Sequence, residues 1–163
     1  MSRWIKHLFL DDLVTRRVFP RATLAAIERS IALQEKRHRG ELRFVVEGGL
    51  PVGPFLAGRS GRERAIEVFS RLRIWDTEDN AGVLIYLLLA DRRVEIVADR
   101  GIDSRVGDAA WDAICREMQS EFAAGRFEAG AVLGIEAISD LLALHFPPLG
   151  ENPNELPDAP VVL

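Results

Sequence analysis

The chain is poor in residues that bring ready-made chemistry. Among its 163 residues are one cysteine, three histidines, one tyrosine and two methionines. A single thiol, Cys115, excludes an internal disulfide framework and paired-cysteine zinc sites, and it suits a reducing compartment. Long apolar runs are missing as well. The longest, Ala81 to Ala90, spans ten residues, where a bilayer-crossing helix needs about twenty. The N-terminus MSRWIKHLFLDDLVTRR breaks its apolar patch at Lys6 and His7 and ends it at Asp11 and Asp12, so it carries no signal-peptide core. These absences predict a soluble, cytoplasmic chain with no transmembrane segment, peripheral to a membrane at most. A dominant charge is absent too: 21 Lys+Arg against 25 Asp+Glu gives −4, too near neutral for a nucleic-acid binder.

What is present describes one globular domain, with 48% hydrophobic and 28% charged residues. A chain of this length buries roughly two-thirds of its unfolded surface, enough for a core without staples. Charge is uneven: residues 1–44 hold ten basic and five acidic side chains, residues 45–163 eleven and twenty. Trp4, Ile5, Leu8, Phe9 and Leu13 fall at helical spacing, which predicts an amphipathic N-terminal helix within 1–19.

The next segment predicts a helix capped by Thr23, with Leu24, Ile27 and Ile31 on its apolar face, running to about Arg39 before Gly40. Residues 41–47 alternate Leu42, Phe44 and Val46 against Glu41, Arg43 and Glu47, a strand with one buried and one partly polar face. Residues 48–60 hold four glycines and two prolines and read as an apolar loop. Ser60 and Glu63 then form a capping-box pattern before a second helix. The run GVLIYLLLA at 82–90 predicts a central strand buried on both faces, parallel to the first because a helix joins them. A tight turn leads into RVEIVAD at 93–99, an antiparallel partner. Gly101–Gly107 reads as a loop. Two helices follow, one after Asp108 as its cap, the other from about Glu128 to His145. Five of the eight prolines lie in 147–163, which predicts a mobile or loosely docked tail. The domain proper is therefore 20–147, followed by the tail 148–163.

Familiar catalytic spacings are missing: there is no glycine-rich phosphate loop, no HExxH and no GxSxG. His7, His38 and His145 stand on separate predicted helices without a carboxylate or serine pattern beside them. The remaining signal is acidic. Asp76, Glu78, Asp79 and Asn80 crowd the entry to the central strand, and Asp99, Asp103 and Asp108 surround the end of its neighbour. Hard cations such as Ca2+ or Mg2+ take oxygen ligands from loops of this kind. Solvated turns also collect Asp and Asn, which cap and bend the backbone. The residues alone leave both readings open.

GELRFVVE at 40–47, Arg64-Ala65 with Phe69 and Leu72, Thr77, GVLIYLLLADRRVEIVADRGID at 82–103 and WDAICREMQSEFAAGRFEAGAVLGI at 111–135 together resemble the TPM-domain family. The combination carries the resemblance, in particular the Phe-x-x-Gly-x-Phe-x-x-Gly run at 122–130. It implies a three-layer α/β/α sandwich with a small mixed sheet. It also implies the family's two functional descriptions: divalent-cation binding at the acidic loops, with either assistance to a membrane-associated protein complex or phosphatase activity. Asp79 and Asn80 match the polar pair before the family's central strand, and Asp103 stands where many members have Glu. Asp99 departs from many relatives, which carry Gly or another residue there. The chain resembles the short bacterial branch that has no trailing transmembrane segment. The expectation is a non-catalytic, Ca2+- or Mg2+-binding module with a membrane-associated protein partner, the alternative a metal-dependent phosphatase. The predicted ligands are Asp76, Asp79, Asn80, Asp99 and Asp103.

Overall fold

The structure, a computed structural model, describes residues 12–50, 58–150 and 153–163. Most of the predicted N-terminal amphipathic helix, with Trp4, Ile5, Leu8 and Phe9, lies outside the described residues, as do Val52, Phe55 and Leu56 of the apolar loop.

Four strands form one mixed sheet: β1 (Glu41–Glu47), β2 (Gly82–Leu88), β3 (Arg93–Ala98) and a two-residue β4 (Val161–Val162). Their order is β3-β2-β1-β4. As the intervening helix requires, β1 and β2 are parallel, paired from Glu41–Gly82 to Glu47–Leu88. The short turn after Leu88 makes β3 antiparallel to β2, with Leu88 opposite Arg93. Central position makes β2 apolar throughout, because helices cover both of its faces. Its first residue is glycine because an added Cβ would stand 1.9 Å from the Ile74 carbonyl oxygen.

The helices are α1 (Asp12–Val18), α2 (Arg21–Gln34), α3 (Gly61–Arg71), α4 (Arg100–Val106), α5 (Asp108–Ala123) and α6 (Phe127–His145). On one sheet face Ile27 and Ile31 of α2, Trp111 and Met118 of α5, and Ile135, Ile138 and Leu142 of α6 pack against Phe44, Val46, Ile85 and Ile96. On the other, Ala65, Val68 and Phe69 of α3 cover Val45, Leu84, Tyr86 and Val97. This is the expected α/β/α sandwich. Each large apolar side chain taken from water contributes about 1.5–3 kcal/mol, and the 3.6-residue spacing directs these residues to the sheet. No described helix is long and apolar enough to cross a membrane.

Several local expectations are corrected. Thr23 does not cap α2, which begins at Arg21 after Pro20; its hydroxyl donates instead to Glu128 Oε2 on α6, 3.1 Å away. The α2 helix ends at Gln34, and a 3-10 turn over Glu35–Arg37 leads into β1. Gly101–Gly107 is no loop: α4 occupies Arg100–Val106, and Asp108 is the first residue of α5 rather than its cap. The tail, expected to be mobile or loosely docked, adds β4 beside β1, with Val161 opposite Val45 and Val162 opposite Val46. Leu156 and Val161 pack on the core beneath α3.

The polar face of β1 is also covered. Glu41, Arg43 and Glu47 are 1%, 6% and 2% exposed, so none of the three faces water. Burying ions is tolerable only when they are paired and fully hydrogen-bonded. Arg64 on α3 supplies this for Glu47: its Nε and Nη2 donate to Oε2 and Oε1 at 3.0 and 2.8 Å, and Tyr86 Oη–H donates to Oε2. Ser60 and Glu63 start α3 with the expected capping box, which fixes Arg64 opposite Glu47. Arg64→Ala leaves the Glu47 carboxylate buried with Tyr86 as its one side-chain partner among the described residues, and unfolding free energy from urea denaturation is expected to fall by about 3–5 kcal/mol. A loss below about 1 kcal/mol, the surface ion-pair range, would show that water already reaches the pair.

Candidate functional site

The predicted residues gather at one end of the sheet, where β1 and β2 begin and β3 ends. The turn before β2 is tight: Asn80 N–H donates to Thr77 O, and Ala81 N–H to Thr77 Oγ1, both at 3.2 Å. Asn80 takes a left-handed backbone, φ 52°, which asparagine tolerates better than most residues. Across from it stands Asp99, the residue before α4, whose N–H donates to Gly82 O at 2.8 Å and so ties the end of β3 to the start of β2. Gly101 permits the approach. A Cβ there would lie 2.4 Å from Asn80 O and 2.7 Å from Asp79 O, both backbone atoms that cannot swing aside.

The carboxylates at this end are engaged in different ways. Asp79 receives Arg39 Nη1 on both oxygens, at 2.7 and 2.5 Å. Asp103 Oδ1 accepts from the Trp111 indole N–H at 2.9 Å, which joins α4 to α5. Asp76 pairs with Arg73 at 2.8 Å on the surface. Asp99 caps α4, with Oδ1 accepting Arg100 N–H at 2.7 Å. Its Oδ2 is buried and has no hydrogen-bond partner among the described residues, in a residue 8% exposed. An orphaned carboxylate oxygen is a hard-oxygen donor of the kind that Ca2+ and Mg2+ prefer, and the Asp79 and Asn80 carbonyls lie against Gly101, two residues along the chain from it. The oxygen donors available to such an ion at this end would be Asp99 Oδ2 and the carbonyls of Asp79 and Asn80. Convergence is incomplete: no three His, Cys, Asp or Glu side chains among the described residues are placed to hold a metal together. The structure brings Asp79 and Asn80 against the Asp99–Asp103 turn and leaves Asp76 with Arg73.

Sequence reasoning missed Arg39, forty residues from Asp79 and separated from it by β1 and α3. The same guanidinium donates through Nε to Pro147 O at 3.0 Å and lies 6.0 Å from the Phe146 ring centroid. Arg105 sits over that ring at 4.5 Å and donates to His145 O at 2.8 Å. No local pattern announces these pairs, because their partners come from three elements.

Groups with nucleophile or base chemistry lie elsewhere. Burial pushes the His38 imidazole down to about 4, and the ring is hydrogen-bonded through Nδ1 to Gly40 O at 3.0 Å. Burial, with Glu95 nearby, pushes the Cys115 thiol up to about 11, so it stays protonated at neutral pH. A groove of about 1020 Å3 runs past Leu89, Val94, Cys115, Gln119 and Phe122 and touches none of the five predicted ligands. Beside it, the outer edge of β3 is blocked by side chains: Val94 N–H donates to Gln119 Oε1 at 3.1 Å, and Arg62 donates to Ile96 O.

Gly101→Ala is expected to drive α4 from the 76–81 turn, move the amide resonances of both segments and lower the thermal midpoint by on the order of 5 °C. An unchanged spectrum would contradict the close approach.

The TPM domain family profile matches residues 14–141. Among solved structures, the chain is similar to the BA42 protein from the psychrophilic bacterium Bizionia argentinensis, with 32% identity, a TM-score of 0.75, and 87% of this chain and 93% of that one covered. It also shares its fold with the N-terminal domain of a P. gingivalis protein, at 18% identity, a TM-score of 0.62, and coverage of 80% and 82%. A comparison with curated proteins returned no match. The profile match over most of the chain, together with the BA42 likeness, establishes that this chain belongs to the TPM-domain family.

Proposed function

We propose that the chain is a non-catalytic binding module, that the turn at 76–81 and the start of α4 take a divalent cation, Ca2+ or Mg2+, and that the module assists a membrane-associated protein complex. The observation that carries the cation reading is Asp99 Oδ2, buried without a partner among the described residues and adjoining the turn that supplies the Asp79 and Asn80 carbonyls. Asp103, one helical turn further along α4, contributes negative charge at the same end. Arg39 neutralises Asp79, so an entering cation competes with a guanidinium already in place. Binding is therefore weak and sensitive to Arg39.

The non-catalytic half of the reading rests on geometry. Acid–base and nucleophilic catalysis require groups within hydrogen-bond reach of one another. Here Asp79 is held by Arg39 and Asp103 by Trp111, while His38 is buried in the segment before β1 and Cys115 is half-buried on α5. The membrane-associated partner comes from the family resemblance.

Titration with Ca2+ and then Mg2+, followed by amide NMR, is expected to give saturable shifts confined to 76–82 and 99–108. Asp99→Asn should abolish them, and Arg39→Gln should tighten binding roughly tenfold by releasing a charge-assisted pair. No shift at millimolar ion would overturn the cation reading. Hydrolysis of a phosphate ester that disappears in a folded Asp79→Ala, Asp103→Ala double variant would overturn the non-catalytic one.

A further inference from the structure

The groove beside α5 belongs to no part of the candidate site. Its volume is about 1020 Å3. Its floor is apolar: Leu87, Val94 and Phe122 are buried beneath it, while Val18, Leu89 and Phe127 keep part of their surface open. One face of α5 forms a whole wall, since Asp112, Cys115, Gln119 and Phe122 recur every three or four residues. From Asp112 to Ala123 this wall runs about 16 Å, at 1.5 Å per residue. Polar groups around it are engaged with one another: Gln119 accepts Val94 N–H, and Arg93 pairs with Glu95 at 2.6 Å. No groove-lining residue carries one of the buried polar atoms that lack a partner among the described residues. A small-molecule pocket orients its ligand through a few placed polar groups. This groove offers length and apolar surface instead, which suits the apolar face of a helix.

Residues 1–11, which precede the described chain, match those dimensions. As a helix they are about 16 Å long, and Trp4, Ile5, Leu8 and Phe9 fall on one face of it. They also attach at the right place. Val18, the last residue of α1, lies on the groove with Gly125 and Phe127, just past the C-terminal end of α5. Asp12 is six helical residues back from Val18, about 9 Å. Eleven residues reach at most about 40 Å when extended, so the segment has ample length to turn back along the wall. Charge sets its direction. The Val94–Gln119 bond puts the turn between β2 and β3, with Arg92, beside the C-terminal part of α5, and Asp112 stands at the opposite end. Asp11, tethered near Val18, falls at the Arg92 end, and Arg3 and Lys6 point their end of the segment toward Asp112.

We propose that the groove between α5 and the hairpin of β2 and β3 is the docking site of this chain's own residues 1–11, which lie along it as an amphipathic helix with Trp4, Ile5, Leu8 and Phe9 on its apolar floor. The docked segment continues the larger core, against which Val18, Leu89, Cys115 and Phe127 already pack. It covers Cys115, the one thiol of the chain.

NMR of the full chain tests this. Cross-peaks from the Trp4 indole to the Leu89 and Val94 methyls are expected, and a sample mixing labelled with unlabelled chains should show none between chains. The double substitution Leu8→Asp, Phe9→Asp should erase these cross-peaks and shift the Leu89 and Val94 methyls. It should also speed alkylation of Cys115 by iodoacetamide at least about tenfold, because the groove no longer has to open first. Cross-peaks between Ile85 and Ile96, opposite each other on β2 and β3, should stay intact as the sign of a folded core. Absence of Trp4 contacts with the groove in the full chain, whether or not the segment then binds phosphatidylglycerol vesicles, would overturn the proposal. So would a folded double variant with unchanged groove methyls and Cys115 reactivity, and so would Trp4–Leu89 cross-peaks between chains, which would give the groove to a second copy.

Discussion

A strand buried on both faces that carries three ionisable side chains on one of them sets the terms for the rest of this fold. Glu41, Arg43 and Glu47 alternate along β1 and all lie inside the sandwich. The opposite face of the strand, Leu42, Phe44 and Val46, belongs to the larger apolar core, so a register slip would put the charges there. Each charge then dictates where another element goes. Glu47 fixes α3 through Arg64, and the capping box that begins α3 supports that placement. Glu41 fixes the C-terminal tail through two backbone N–H groups. Arg43 sits where Glu35, Glu41 and Asp158 surround it. The polar face of β1 is thus a set of attachment points, and the two layers that cover it are held by charge as well as by apolar area.

The candidate site is built at the other consequence of the same topology. Parallel β1 and β2 start side by side, antiparallel β3 ends there, and their flanking turns meet. Glycine at 101 lets the meeting be close, and one Asp99 oxygen is left without a hydrogen-bond partner among the described residues. Arg39 arrives from the segment preceding β1 and neutralises Asp79, so the acidic end is less acidic than its composition suggests. That pairing accounts for why clustered aspartates in this sequence do not amount to an open cage of carboxylates.

The strands were legible because their period and length are local properties: an apolar run for β2, alternation for β1 and β3, a short turn between β2 and β3. The helix α3 announced itself through Ser60 and Glu63. By contrast α4, RGIDSRV, has one buried residue, Ile102, in two turns, too little for any helical periodicity to register. Its start is marked only by Asp99, a residue equally at home in a loop. The tail misled for a different reason. Its prolines forbid a regular ladder, and it docks instead by giving N–H groups to a side-chain carboxyl 114 residues away. At the site, the meeting of Asp79 and Asn80 with Asp99 and Asp103 followed from the hairpin. The partners Arg39 and Trp111 did not, since each comes from a different layer.

Carboxyl-carbon NMR titration of the folded chain bears most directly on the claim that β1 holds its charges in a dry, neutralised interior. The account predicts that Glu41 titrates at about 7 and Glu35 at about 9, both raised chiefly by burial. Titration of both near the ordinary 4.5 in a folded chain would contradict it, by placing water on the polar face of β1 and removing the reason for the tail's position.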